Sequence, residues 1–161
     1  MVDPDPVTCE RLRALAADYA AAVDGRDADA LRQLFTDDAT LTVRDLVVGS
    51  ERSRDGVDAI AGIPAVLRER YPVTFHLLGQ ARYRMVDADT AEGEVLCQAH
   101  HHVGTPGDDA VDRVQHVRYL DRYRGDEHGW RISARTVEVR FTTEVPVPAR
   151  TDRPTDQEHA T

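Results

Sequence analysis

Apolar positions recur at helical spacing in the first part of the chain and at alternate positions in the rest, and that change of period sets the expected architecture. Leu12, Leu15, Ala16, Tyr19, Ala22 and Val23 form one stripe, which predicts a long first helix with Thr8 as N-cap and Gly25 as its stop. Asp27 caps a second, shorter helix in which Leu31, Leu34 and Phe35 share a face, giving an αα-hairpin. From Ala39 the period falls to two, and Ala39, Leu41 and Val43 predict a short strand. The polar, Gly-containing stretch from Leu46 to Asp55 reads as a loop. Val57, Ile60, Ile63 and Leu67 then mark a third helix, bent at Pro64 and ended by Pro72.

Beyond Pro72 the pattern is a strand meander over 73–86, 91–103, a strand ending at Tyr123, and 130–145. Its turns fall at Asp87–Asp89, Gly104–Asp109 and Gly125–Gly129. Helices followed by consecutive antiparallel strands predict an α+β fold, since parallel βαβ units need a helix between strands. A strongly curved sheet wrapped over the long helix buries both apolar faces and leaves a cone with a cavity at its open end. The 161 residues suffice for one core, expected over 8–145, with 1–7 and 146–161 as flexible tails.

A formal charge of −9 argues against a nucleic-acid partner, which needs a concentrated basic surface. All 20 basic residues are Arg, and the absence of Lys and Asn reads as GC-rich codon usage. Neither a signal-like start nor an apolar run of membrane-spanning length is visible, so a cytoplasmic protein with no membrane partner is expected. Cys9 and Cys97 lie in different predicted elements and fit free thiols. With no GxGxxG, P-loop or GxSxG motif, no cofactor and no serine nucleophile are expected.

The run YAAAVDGRDADALRQLFTDDATLTV resembles the opening of SnoaL-like domains, where a helix ends in an Asp and a short helix and strand follow. VRYLDRYRGDEHGWRISARTV is similar to their closing strand pair, with Tyr119, Asp121, Gly129, Trp130, Arg131, Ile132 and Arg135 in register. Thr74-Phe75-His76, a second histidine at His101 and the helix-end Asp24 resemble the scytalone-dehydratase-like branch of the same NTF2-like superfamily. The resemblance spans most of residues 10–141 and implies a cone with one buried small-molecule pocket. That branch's two pocket tyrosines do not carry over: Val23 precedes Asp24, and Val43 stands near the matching place on the first strand.

On the strand bearing His100-His101-His102 only one parity can face the cavity. Val95, Cys97, Ala99, His101 and Val103 are the apolar parity, so His101 points inward. An imidazole titrating near pH 6.5 can accept and return a proton. His101 is therefore the candidate base, with Asp24 orienting it and His76 assisting a leaving hydroxyl or holding the substrate. Each also admits a plainer role, His101 and His76 as packing and Asp24 as a cap. Tyr119, on the parity of Val117, Tyr19 on the first helix's stripe, Cys97 and Val43 are the candidate substrate-binding residues, and Tyr119 could replace part of the missing tyrosine pair.

His100 and His102 have HxH spacing, and His116 could join them from the next strand, but that parity faces away from the cavity and no metal is expected. With the resemblance, His101, Asp24 and His76 imply a cofactor-independent dehydratase acting on a small cyclic or polyketide-like ketone or alcohol in bacterial secondary metabolism. A cyclase or isomerase moving a proton beside a carbonyl is the first alternative, and a non-catalytic binding or assembly module the second. The outer face of an open sheet needs cover, and the resemblance implies that a homodimer or homotrimer provides it.

Overall fold

A computed structural model describes residues 2–104 and 110–147 of the chain. Helix α1 spans Pro6–Asp24 and starts one turn earlier than the apolar stripe implied. Its N-cap is Asp5, not Thr8: the Asp5 carboxylate accepts from the backbone N–H of Val7 and Thr8 and from the Thr8 hydroxyl. Pro6 at the first helical position loses nothing by lacking an N–H, which is why the cap sits before it. Upstream of that cap, Val2 accepts a hydrogen bond of 2.9 Å from the backbone N–H of Met85, so this part of the expected tail is tied to the sheet.

Helix α2 covers Ala28–Gln33, capped by Asp27 as expected. Phe35, expected on that helix, instead opens strand β1, Phe35–Asp45, where it pairs in parallel with Ile132. The polar segment expected to be a loop contains strand β2, Ser50–Asp55, antiparallel to β1 at the sheet edge. The third helix is two short ones, α3 over Val57–Ala61 and α4 over Ile63–Arg70, broken at Gly62 with Pro64 in the first turn of the second.

Strands β3, Thr74–Met85, β4, Thr90–Val103, β5, Val111–Asp126, and β6, Gly129–Pro146, form the meander. The six-stranded order is β2-β1-β6-β5-β4-β3, antiparallel throughout except for β1 beside β6. This is the α+β architecture expected, a curved sheet wrapped over the long first helix. Register shifts near Leu78, His116 and Arg122 interrupt the ladders, as bulges do where a sheet bends. Leu12, Leu15, Ala16, Tyr19 and Val23 of α1 pack into the concave face against Leu41, Val95, Val117, Tyr123 and Ile132. Among the described residues, no helix is long and apolar enough to cross a membrane.

One buried ion pair runs through this core. Arg135 on β6 donates from Nε and Nη2 to the two carboxylate oxygens of Asp121 on β5, at 2.7 and 2.6 Å, with both side chains fully buried. Tyr123 donates its hydroxyl to Asp121 Oδ2 at 2.7 Å. The guanidinium carbon lies 4.2 and 4.3 Å from the ring centroids of Tyr19 and Tyr119, so two π faces surround the charge where further acceptors are lacking. Burial disfavours the charged arginine, but Asp121 outweighs it and raises the Arg135 pKa above its ordinary value. The pair thereby fixes two tyrosines that face the cavity.

Candidate functional site

A cavity of about 560 Å³ opens between the concave sheet, the end of α1, and α4. That lies within the range of roughly 300–1,000 Å³ usual for small-molecule pockets. Its walls are largely apolar, with Leu41, Val43, Leu67, Val117 and Val137 contributing, and its polar groups include His76 and His101. Sheet parity explains the histidines: Thr74 and His76 face inward at the start of β3, in register with His101 and Ala99 of β4, while Phe75 faces out.

The last residue of α1 reaches this strand start. Asp24 Oδ1 accepts from the Thr74 hydroxyl at 2.8 Å and lies 2.7 Å from His76 Nδ1, while Oδ2 accepts the His76 backbone N–H at 2.8 Å. Burial pushes the Asp24 pKa up, but the hydrogen bond and charge of His76, its backbone N–H and the Thr74 hydroxyl together hold it below the ordinary value. An ionised Asp24 needs a proton on His76 Nδ1 to close the shorter contact. That tautomer leaves Nε2 of a neutral ring as a proton acceptor.

Arg26 reinforces the arrangement. It donates to the Thr74 hydroxyl and the Val23 carbonyl, both at 2.6 Å, and to the Tyr71 carbonyl at 3.2 Å. It does so from a left-handed backbone, φ 60°, a conformation that costs a non-glycine residue free energy and that the surrounding bonds must hold. The chain after α1 is thus clamped to the strand carrying His76.

The expected partner of Asp24 was His101, and the geometry corrects this: the carboxylate pairs with His76. His101 is inward and buried as parity required, with 7% of its surface exposed. Its ring lies 6.1 Å from the His76 ring and 4.6 Å from that of Tyr71, and its Nδ1 has no hydrogen-bond partner among the described residues. Burial, then the neighbouring His76, pushes its pKa down to about 4, so the ring is neutral at pH 7.

Of the candidate substrate-binding residues, the structure places Tyr19, Tyr119 and Val43 on the cavity wall and Cys97 off it, beside the Tyr119 hydroxyl. The Tyr119 hydroxyl donates to Cys97 Sγ at 3.5 Å, so the ring lines the cavity while its hydroxyl is engaged by the thiol. Burial raises the Cys97 thiol to about 11, leaving it protonated and unreactive at neutral pH. On the outer face, His100 pairs with Asp112 at 2.6 Å and His116 stacks on Phe141 at 4.0 Å. Sequence reasoning missed Arg26 and Tyr71, and it quoted Asp121 and Arg135 only for their register. Their order along the chain carries no sign of the packing that uses them.

Residues 9–136 match the SnoaL-like domain family. The chain belongs to that family. An uncharacterised protein of Mycobacterium tuberculosis is 32% identical over 132 residues, which cover 77% of this chain and 80% of the relative. Among solved structures, hexachlorocyclohexane dehydrochlorinase LinA-type3 from Novosphingobium barchaimii superposes with a TM-score of 0.74 at 18% identity, covering 91% of this chain and 96% of that one. A candidate scytalone dehydratase from Novosphingobium aromaticivorans gives 0.71 at 18% identity, covering 95% and 96%. The β subunit of a candidate aromatic-ring-hydroxylating dioxygenase from the same organism gives 0.68 at 20% identity, covering 83% and 89%. At these identities the likeness establishes the fold.

Proposed function

We propose that this SnoaL-like domain is an acid–base lyase, a dehydratase of small cyclic or polyketide-like ketones or alcohols, with His76 as the base. The observation that carries the reading is the contact of 2.7 Å between the Asp24 carboxylate and Nδ1 of His76, whose ring lines the cavity. His76 Nε2 takes a proton from the carbon beside the substrate carbonyl, and Asp24 stabilises the imidazolium that forms. The proton returns to the departing hydroxyl, which leaves as water, so the protein ends the cycle in its starting state. His101, neutral at pH 7, offers a hydrogen bond to a substrate oxygen. Two structural neighbours, a dehydrochlorinase and a candidate dehydratase, are named for eliminations, which favours this reaction class.

The test uses a β-hydroxyketone of the tetralone type, which aromatises on losing water, and the parent ketone in heavy water. Wild-type protein should release the aromatic product and place deuterium beside the carbonyl. His76→Ala should lower both rates by roughly 10²–10⁴. Deuterium incorporation without loss of water would favour the isomerase or cyclase reading. Ligand held with neither reaction would favour a non-catalytic binding or assembly module.

Assembly belongs to the same proposal. Phe75, Leu77 and Phe141 are each more than half exposed on the outer sheet face, which we expect a homodimer or homotrimer to cover. Sedimentation velocity showing only monomer at micromolar concentration would exclude it.

A further inference from the structure

The edge strand β2 sorts its charges by face. Its register sets Arg52 opposite Val43 and Arg54 opposite Leu41, and both apolar partners line the cavity. The flanking Glu51 and Asp55 bond to Arg44 and Thr40 on the other face. Of the four charged residues at 51, 52, 54 and 55, the two cations therefore stand on the cavity's side and the two anions on the far side. Arg70, at the end of α4, brings a third guanidinium to the same mouth.

Arg52, Arg54 and Arg70 all line the cavity, and none of the described lining residues is an Asp or Glu. This occurs in a chain of formal charge −9, where acidic residues outnumber basic ones by 29 to 20. Most of the arginines on the outer sheet face have carboxylates beside them: Arg84 and Arg122 with Glu92, Arg118 with Glu94 and Glu138, and Arg140 with Glu138. Among the described residues, none of the three at the mouth has an ion-pair partner, and Arg54 reaches only the Ala59 carbonyl, at 3.3 Å. Three guanidiniums around an acid-free opening set up a positive potential, and low-dielectric walls focus it.

We propose that the cavity selects an organic anion: a cyclic ketone or alcohol bearing a carboxylate, bound with the carboxylate at Arg52, Arg54 and Arg70 and the reacting carbon at His76. The planar fork of a guanidinium matches a carboxylate in a way that a hydroxyl or an ester does not. The apolar wall between the mouth and His76 takes the ring. The inference rests on the lyase reading for what happens at His76, but not for how the anion is held.

Calorimetric titration with naphthoate and with neutral naphthamide, probes of nearly equal shape, separates the two ideas. Wild-type protein should bind naphthoate at least about tenfold more tightly, the scale of one partly exposed charge-assisted contact. Added salt should erode that preference. Arg52→Gln and Arg54→Gln should each reduce it while leaving naphthamide affinity within about twofold. His76→Ala should keep it even where turnover is lost. Equal affinity for the two probes, or a preference unchanged in a folded Arg52→Gln, Arg54→Gln double variant, would overturn the proposal. The second result would assign the inward arginines to protecting the sheet edge from pairing with another chain. Anion preference with no turnover of any ketone would sink the lyase reading and leave this one standing.

Discussion

Replacing Asp121 by Ala removes one carboxylate and strands two groups at once. Arg135 keeps a charge with no exposed surface and no acid partner, and the buried Tyr123 hydroxyl loses the acceptor it holds at 2.7 Å. Breaking one side of a buried ion pair costs about 3–5 kcal/mol, and the orphaned hydroxyl adds to it, against a total stability of roughly 5–15 kcal/mol for a domain. A loss of about 4 kcal/mol, at a urea dependence of about 2 kcal/mol per molar, moves the unfolding midpoint down by roughly 2 M. Urea titration followed by the fluorescence of Trp130 reads that shift directly. Asp121→Asn, which keeps an acceptor for Tyr123 but no charge for Arg135, should recover less than half of it. Asp121→Leu with Arg135→Met should recover most, because two apolar residues leave no stranded charge. A midpoint within about 0.5 M of wild type for the alanine variant would show that the cation is not held as described, and the positioning of Tyr19 and Tyr119 would need another cause.

Acid should weaken the fold in two stages. His101 titrates at about 4 when folded against an ordinary 6.5, so the unfolded chain binds more protons between those values. The His101 contribution is therefore constant above pH 6.5 and falls as pH drops towards 4, by up to about 3 kcal/mol, a slope that His101→Phe should flatten in pH-resolved urea titrations. Asp24, held below its ordinary 3.8, contributes stability that is present above that pH and lost beneath it, and Asp24→Asn should remove only this lower stage. At Gly93, an added Cβ would stand 2.7 Å and 2.9 Å from Tyr83 ring carbons and 3.0 Å from one of Tyr123. Gly93→Ala should cost about 1–3 kcal/mol in the same titration, and a neutral result would mean that the edge-to-face tyrosine pair yields freely.

Much of this molecule can be read from its residues because burial is one-sided. The stripe Leu12, Leu15, Ala16, Tyr19 and Val23 marks the helix face that the sheet covers, and alternation on β4 places His101 inside, as it is. Ser50–Asp55 is not legible as a strand because its inward positions carry arginine instead of apolar side chains, so period two leaves no hydropathy signal. Phe35 keeps helical spacing with Leu31 and Leu34, and only its pairing with Ile132, nearly a hundred residues later, draws it into the sheet. Which histidine meets Asp24 depends on where α1 ends relative to β3. That placement is held by the left-handed backbone at Arg26 and the bonds made by its side chain, and spacing along the chain does not report it.

The orientation of the His76 ring carries the functional account, and nitrogen-resolved NMR of the histidine side chains observes it without any substrate. Recorded on the neutral ring, the wild-type spectrum should show His76 as the Nδ1–H tautomer, with that proton slowed in exchange and shifted downfield by the Asp24 carboxylate. Asp24→Asn should abolish both signatures. A proton resident on Nε2 in the wild type, or a spectrum indifferent to the residue at position 24, would contradict the assignment of His76 as the base.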